Sequence, residues 1–137
     1  MKAIIKFKGI LLVSLFALAC ATAPFKVQEK YNFDNKLQEA TDISNFRIDS
    51  WEPIDHQSLV IKTDINNYYL VILDRPAIAL PSSENIGVTI TVDKIRPGFD
   101  QIIVADKNSS ESYTIYKIYK LDGRKQATEI KKNLKAK

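Results

Sequence analysis

Apolar and polar positions along the chain fall into short runs separated by turn chemistry, the pattern of a small β-rich domain. Residues 46–51 alternate loosely and predict a first strand ending near Trp51, with Pro53 and Asp55 as the turn after it. Residues 58–63 predict a second strand. Asp64, Ile65, Asn66 and Asn67 follow as a turn, because Asn and Asp tolerate the left-handed conformation that hairpins need. Residues 68–73 (Tyr-Tyr-Leu-Val-Ile-Leu) are continuously apolar and predict a central strand buried on both faces. Together these give a hairpin over 58–73.

Asp74 to Asn85, with Pro76 and Pro81, predicts a loop with a helical turn at 77–80. Residues 86–93 have the cleanest period of two: Ile86, Val88, Ile90 and Val92 on one side, Gly87, Thr89, Thr91 and Asp93 on the other. That predicts a half-buried strand with the four β-branched residues inward. Arg96-Pro97-Gly98 turns the chain, 100–105 predicts a strand, and residues 107–110 turn it again. The last strand is predicted at 112–117, although Ile115, Ile118 and Leu121 are also helically spaced. Asp122 can cap a helix from Gly123 to Leu134, with Ala127, Ile130 and Leu134 as its apolar stripe. The expected fold is mainly β (α+β): a small antiparallel sheet of about six strands, barrel-like or sandwich, with one C-terminal helix.

The N-terminus carries a different signal. Lys2, Lys6 and Lys8 precede an apolar run from Ile10 to Ala19, a basic segment and a core of secretory-signal length. The run is too short for a bilayer span, which takes roughly 20 residues. It ends at Cys20, the sole cysteine. Ala17-Leu18-Ala19-Cys20 resembles a bacterial lipobox, whose cysteine thiol carries a thioether-linked lipid. It departs from the preferred pattern of Leu three before the cysteine and a small residue two before it. Ordinary cleavage at Ala17-x-Ala19 or Ala19-x-Ala21 also fits. An unpaired thiol at an exported N-terminus would be reactive, which favours lipidation. By the same resemblance, Ala21 after the cysteine implies the outer membrane, facing the periplasm. The expected organisation is a signal peptide at 1–19, a tether at 20–41, and one β-rich domain at 42–137 with its C-terminal helix and basic tail.

Charge changes the picture once it is divided. The chain has 20 basic and 16 acidic residues, but without residues 1–19 the count is 17 to 16. Residues 31–116 carry 7 basic and 13 acidic groups; residues 117–137 carry 8 and 2. The body is acidic and lacks a nucleic-acid footprint. The basic tail is either a solvated helix face or a contact for anionic lipid. One Cys and one His exclude a zinc site of several such ligands and any intramolecular disulfide.

Candidate chemistry is sparse. Asp49, Glu52 and Asp55 surround Trp51, and carboxylates beside an aromatic ring can hydrolyse glycosides. The plainer reading is solvent-facing acids around a Trp that anchors a strand. His56 is the one imidazole, beside Asp55 and Ser58, but a triad assembles through folding rather than adjacency. Asp64-x-Asn66 lacks the Gly and distal Glu of a calcium loop. The six Tyr offer either a binding face or cover for half-buried sheet.

Several segments, in order, carry a family resemblance: Ile54 to Ile61, Tyr69 to Pro76, Ile86 to Val88, Gly98 to Val104 and Ile115 to Leu121. The chain resembles the bacterial "domain of unknown function 6491" family of small exported proteins and lipoproteins, over about residues 42–122. The resemblance implies compartment and domain size, not mechanism. It also implies cysteines after the Arg-Pro segment and near the last strand in many members. Ala77 and Tyr113-Thr114 stand in those places here, so a disulfide that fastens the family's domain is not available to this chain.

The leading expectation is a non-enzymatic envelope lipoprotein, lipidated at Cys20, with no catalytic residue, cofactor or metal. Its partners would be the membrane and an envelope protein, not nucleic acid. The alternative is a soluble periplasmic ligand-binding protein or small hydrolase using the Asp49, Glu52, Asp55 and His56 region.

Overall fold

The computed structural model describes residues 26–44, 47–63 and 66–136. In chain order, the strands are β1 (Gln38–Glu39), β2 (Ile43–Ser44), β3 (Ile48–Pro53), β4 (Ser58–Thr63), β5 (Asn67–Leu73), β6 (Ile86–Val88), β7 (Lys94–Ile95), β8 (Gln101–Ala105) and β9 (Ser110–Leu121), followed by helix α1 (Arg124–Lys135). The main sheet is antiparallel, in the order β3-β4-β5-β9-β8-β6, and curls into a half-barrel. β1 adds to β9, and β2 pairs with β7 as a separate ribbon. The fold class expected from the sequence is the one observed.

Both faces of the sheet are covered, which is why β5 reads as an unbroken apolar run. Val71 and Leu73 pack into a first cluster with Leu59, Ile61, Ile102, Ile115 and Ile118. Leu70 and Ile72 pack into a second with Val60, Tyr119, Leu121 and the α1 residues Ala127, Ile130 and Leu134. Tyr68 and Tyr69 divide between the two clusters, as neighbours on a strand must. Asn66 takes φ 58° in the turn before β5, the conformation that Asn tolerates.

Two bulges explain spacings that the sequence left ambiguous. The β5–β9 register shifts between Ile72 and Leu73, opposite Lys117 and Ile115. The extra residue, Tyr116, stands exposed, and Tyr113, Ile115 and Ile118 reach one cluster. The helix-like spacing of Ile115 and Ile118 is thus a bulged strand. A second shift, between Ile48 and Ser50, lets Ile48 and Trp51 pack against the first cluster although they lie three residues apart.

Several expectations meet the structure differently. The described part of the expected tether (20–41) is built into the fold from Val27 onward. Tyr31, Phe33 and Leu37 are buried in the second cluster, and β1 bonds to β9. Their irregular spacing hides them, because Tyr31 ends a 3-10 turn, Phe33 lies on irregular backbone and Leu37 sits at a bend. At 77–80 the expected turn is present, closed by Leu80 N–H to Ala77 O at 3.0 Å, and a 3-10 turn follows at Leu80–Ser82. At the C-terminal helix, Gly123 rather than Asp122 holds the N-cap, and Gln126 Oε1 accepts the Asp122 N–H at 2.7 Å. The last correction, at residues 86–93, is the site itself.

Candidate functional site

The acids singled out around Trp51 do not converge. Asp49 pairs with Lys62 at 3.1 Å, and Glu52 pairs with Lys131 of α1. Asp55 Oδ2 accepts the Tyr31 hydroxyl at 2.8 Å and lies 3.7 Å from Lys30 Nζ. Its Oδ1 accepts Gln57 N–H and the Ser58 hydroxyl, each at 2.8 Å. Asp55 therefore builds the β3–β4 turn and fastens the N-terminal segment to it. Burial, then the Asp55 carboxylate, raises the Tyr31 pKa well above its ordinary value. His56 is exposed, with Nδ1 3.3 Å from the Ile78 carbonyl oxygen. Asp55 and His56 share a hollow of about 170 Å³ with Tyr31, Pro76 and Ile78. That is below the roughly 300–1,000 Å³ of small-molecule sites. Cys20 lies outside the described residues.

A larger groove, about 490 Å³, runs between the N-terminal segment and β9. Three of its polar groups, Asp34, Lys117 and Tyr119, are bonded to one another. Lys117 Nζ donates to both oxygens of Asp34 at 2.8 Å, and the Tyr119 hydroxyl donates to Asp34 Oδ1 at 2.8 Å while accepting Phe33 N–H at 3.2 Å. The hydrogen bond from Lys117, then that from Tyr119, holds the Asp34 pKa below the usual carboxylate range. Asp34 in turn raises Lys117, and burial pushes Tyr119 up to about 12. Asp34 favours docking above its unfolded pKa of about 4, and this is lost as pH falls through the lowered folded value. Lys117 and Tyr119 favour docking below about 10, and this is lost as pH rises through their raised values. NMR signals of Phe33 and Leu37 are expected to hold native positions across neutral pH and move toward unstructured ones at both extremes. Lys117→Met should weaken docking at neutral pH and remove the part of the acid transition that comes from this pair. An identical titration in the variant would contradict this account.

The remaining feature is the connection from β6 to β8. Past Val88 the predicted strand stops, and Thr89 and Thr91 turn inward. Both hydroxyls donate to Asp100 Oδ1, at 3.0 and 2.8 Å, and Arg96 N–H donates to Oδ2 at 2.7 Å. Asp100 is fully buried. The two threonine hydroxyls thus point at the buried carboxylate, although Thr91 itself is exposed, and Ile90 between them faces out. Thr91 and Lys94 exchange both backbone hydrogen bonds around a two-residue turn. That turn holds Val92 at φ 54° and Asp93 at φ 58°. Left-handed backbone in a β-branched residue is strained. Gly98, at φ 82°, completes an Arg96–Phe99 turn closed by Phe99 N–H to Arg96 O at 3.3 Å.

The result is a stiff tip with three apolar side chains in water: Ile90 is 53% exposed, Val92 76% and Phe99 77%. The sequence signal for it was weak. Pro97-Gly98 marks the turn, but the alternation at 86–93 points Ile90 and Val92 the wrong way. Val92→Asn is expected to stabilise the protein by about 1 kcal/mol, since Asn tolerates the left-handed conformation. A lower denaturation midpoint would mean that Val92 is not strained there.

A family model described as a family of unknown function (DUF6491) matches residues 3–137. The chain belongs to the DUF6491 family. The match runs beyond the 42–122 stretch that carried the resemblance, taking in the N-terminal apolar run, Cys20 and α1. No curated protein and no solved structure matches the chain. In this DUF6491 chain, Ala77 and Tyr113, the positions where the resemblance placed cysteines, both lie in the first core cluster.

Proposed function

We propose that this DUF6491 protein is exported to the bacterial envelope, acylated at Cys20 and held at the outer membrane facing the periplasm. Its domain works as a non-enzymatic binding module, gripping a partner protein through the 89–100 tip. One observation carries the binding role: three large apolar side chains stand in solvent on a tip fixed by a buried carboxylate and two tight turns. Val92 weakens folding where it stands, so its contribution lies outside the folded chain. A convex, rigid, apolar tip suits an apolar pocket on another protein, where such anchors dominate binding energy. The rival hydrolase reading has less support. Asp49 and Glu52 are tied to separate lysines, and both oxygens of Asp55 are used in holding the chain together.

The test is site-specific photo-crosslinking in cells, with a benzophenone residue at position 99 and, as a control, at the equally exposed Ile78. One discrete protein adduct from position 99, absent from position 78 and lost in Ile90→Ser/Val92→Asn, is expected. No adduct, or the same adducts from both positions, would overturn the binding role.

A further inference from the structure

We infer that the outward face of α1 is a docking surface for an anionic phospholipid bilayer. The helix spends its apolar stripe, Ala127, Ile130 and Leu134, on the sheet. Lys125 and Lys132, seven residues apart, lie two turns apart on the side away from it. Arg124 and Lys135 flank them, and all four are exposed. Glu129 is the one acid within the helix, and Lys131 is already paired with Glu52. Among the described residues, no ion pair neutralises Arg124, Lys125, Lys132 or Lys135. The like charges are felt locally: burial first, then Lys135, lowers the Lys131 pKa. The rest of the domain is acidic, with 13 acidic and 7 basic groups over residues 31–116. Over all of residues 26–123 the count is still 15 acidic to 11 basic, so α1 is the net basic element of an acidic body, which gives the molecule a polarity that a negatively charged sheet of headgroups would orient.

The way the N-terminus is attached points the same side inward. Val27, Tyr31, Phe33 and Leu37 pack in the cluster that α1 covers, so the leash and the basic helix share one sheet face. From Cys20 to Val27 there are seven residues, which extend to at most about 25 Å. A domain on so short a leash keeps that face near the lipid. The tip at 89–100 joins the other side: Ile95, between its two turns, and Ile43, its partner across the β2–β7 ribbon, belong to the first cluster. The arrangement presents basic residues to the membrane and the apolar tip away from it. This orientation rests on the acylation proposed for Cys20; the affinity of α1 for anionic lipid does not.

The two are tested separately. The chain from residue 20, carrying Cys20→Ser and no lipid, is sedimented with vesicles of phosphatidylcholine alone or with about 30% phosphatidylglycerol. Binding is expected only with phosphatidylglycerol, and it should be lost in about 0.5 M salt, where charge is screened within a few ångströms. Lys125→Glu/Lys132→Glu should weaken binding at least about ten-fold, with an unchanged unfolding midpoint showing that the fold survives. Equal binding to both vesicles, no binding to either, or a double variant that binds like the parent would overturn the proposal. So would retention on insoluble peptidoglycan in place of vesicles. None of these results bears on lipidation, because the chain tested carries no acyl group.

Discussion

Asp100→Ala is expected to cost about 3 kcal/mol of stability and to loosen the whole 89–100 connection. The carboxylate is fully buried and is the shared acceptor for the Thr89 and Thr91 hydroxyls and for Arg96 N–H. Its backbone also takes part: Asp100 O accepts Ile115 N–H at 2.9 Å, and Asp100 N–H donates to Arg96 O at 2.9 Å. Truncating the side chain leaves the half-buried Thr89 hydroxyl and Arg96 N–H, and the exposed Thr91 hydroxyl, without their shared acceptor. Asp100→Asn keeps one carbonyl oxygen but sets an amide where donors converge, so about half the loss is expected. Chemical denaturation gives the global cost, and hydrogen exchange at Thr89, Thr91 and Arg96 gives the local one. A loss below about 1 kcal/mol in Asp100→Ala would mean that the tip is not held by this residue. The variant also separates stiffness from apolar area, since Ile90, Val92 and Phe99 all remain.

Tyr119→Ala is expected to cost more, about 4 kcal/mol, because it removes a large core side chain and a latch at once. Tyr119 is fully buried in the second cluster, and the Phe33 ring meets it edge-on, with centroids 5.8 Å apart. Its hydroxyl joins Asp34 to the Phe33 backbone. The segment from Val27 to Glu39 should therefore come away before the rest of the sheet opens, visible as early proteolysis. Tyr119→Phe isolates the latch. It keeps the packing and loses only the hydroxyl, so about 1–2 kcal/mol is expected. If Tyr119→Ala and Tyr119→Phe lost the same stability, packing of this ring would not hold the segment.

Particular elements show what was readable before the fold was known. The β4–β5 hairpin was legible because strand period, turn residues and an apolar run agreed over 58–73. The C-terminal helix was legible because Ala127, Ile130 and Leu134 keep a helical spacing on one stripe. The N-terminal segment was not, since Tyr31, Phe33 and Leu37 are buried singly by irregular backbone and share no period. Residues 86–93 misled for a different reason. Alternation says which residues share a side, and burial of the apolar side is then assumed. Here a carboxylate eleven and nine residues beyond Thr89 and Thr91 draws the polar side inward. Such a partner is invisible to a local pattern. The acids around Trp51 were close in sequence and separate in space, because β3 sends Asp49 to Lys62 and Glu52 to α1.

The proposed place of this domain rests on acylation of Cys20, and the intact mass of the mature protein from fractionated cells tests that most directly. The account predicts a membrane-fraction chain that begins at Cys20 and carries acyl chains, with the Cys20→Ala chain leaving that fraction. An unacylated chain beginning at Cys20, Thr22 or Pro24 would contradict it and leave a soluble exported domain in its place.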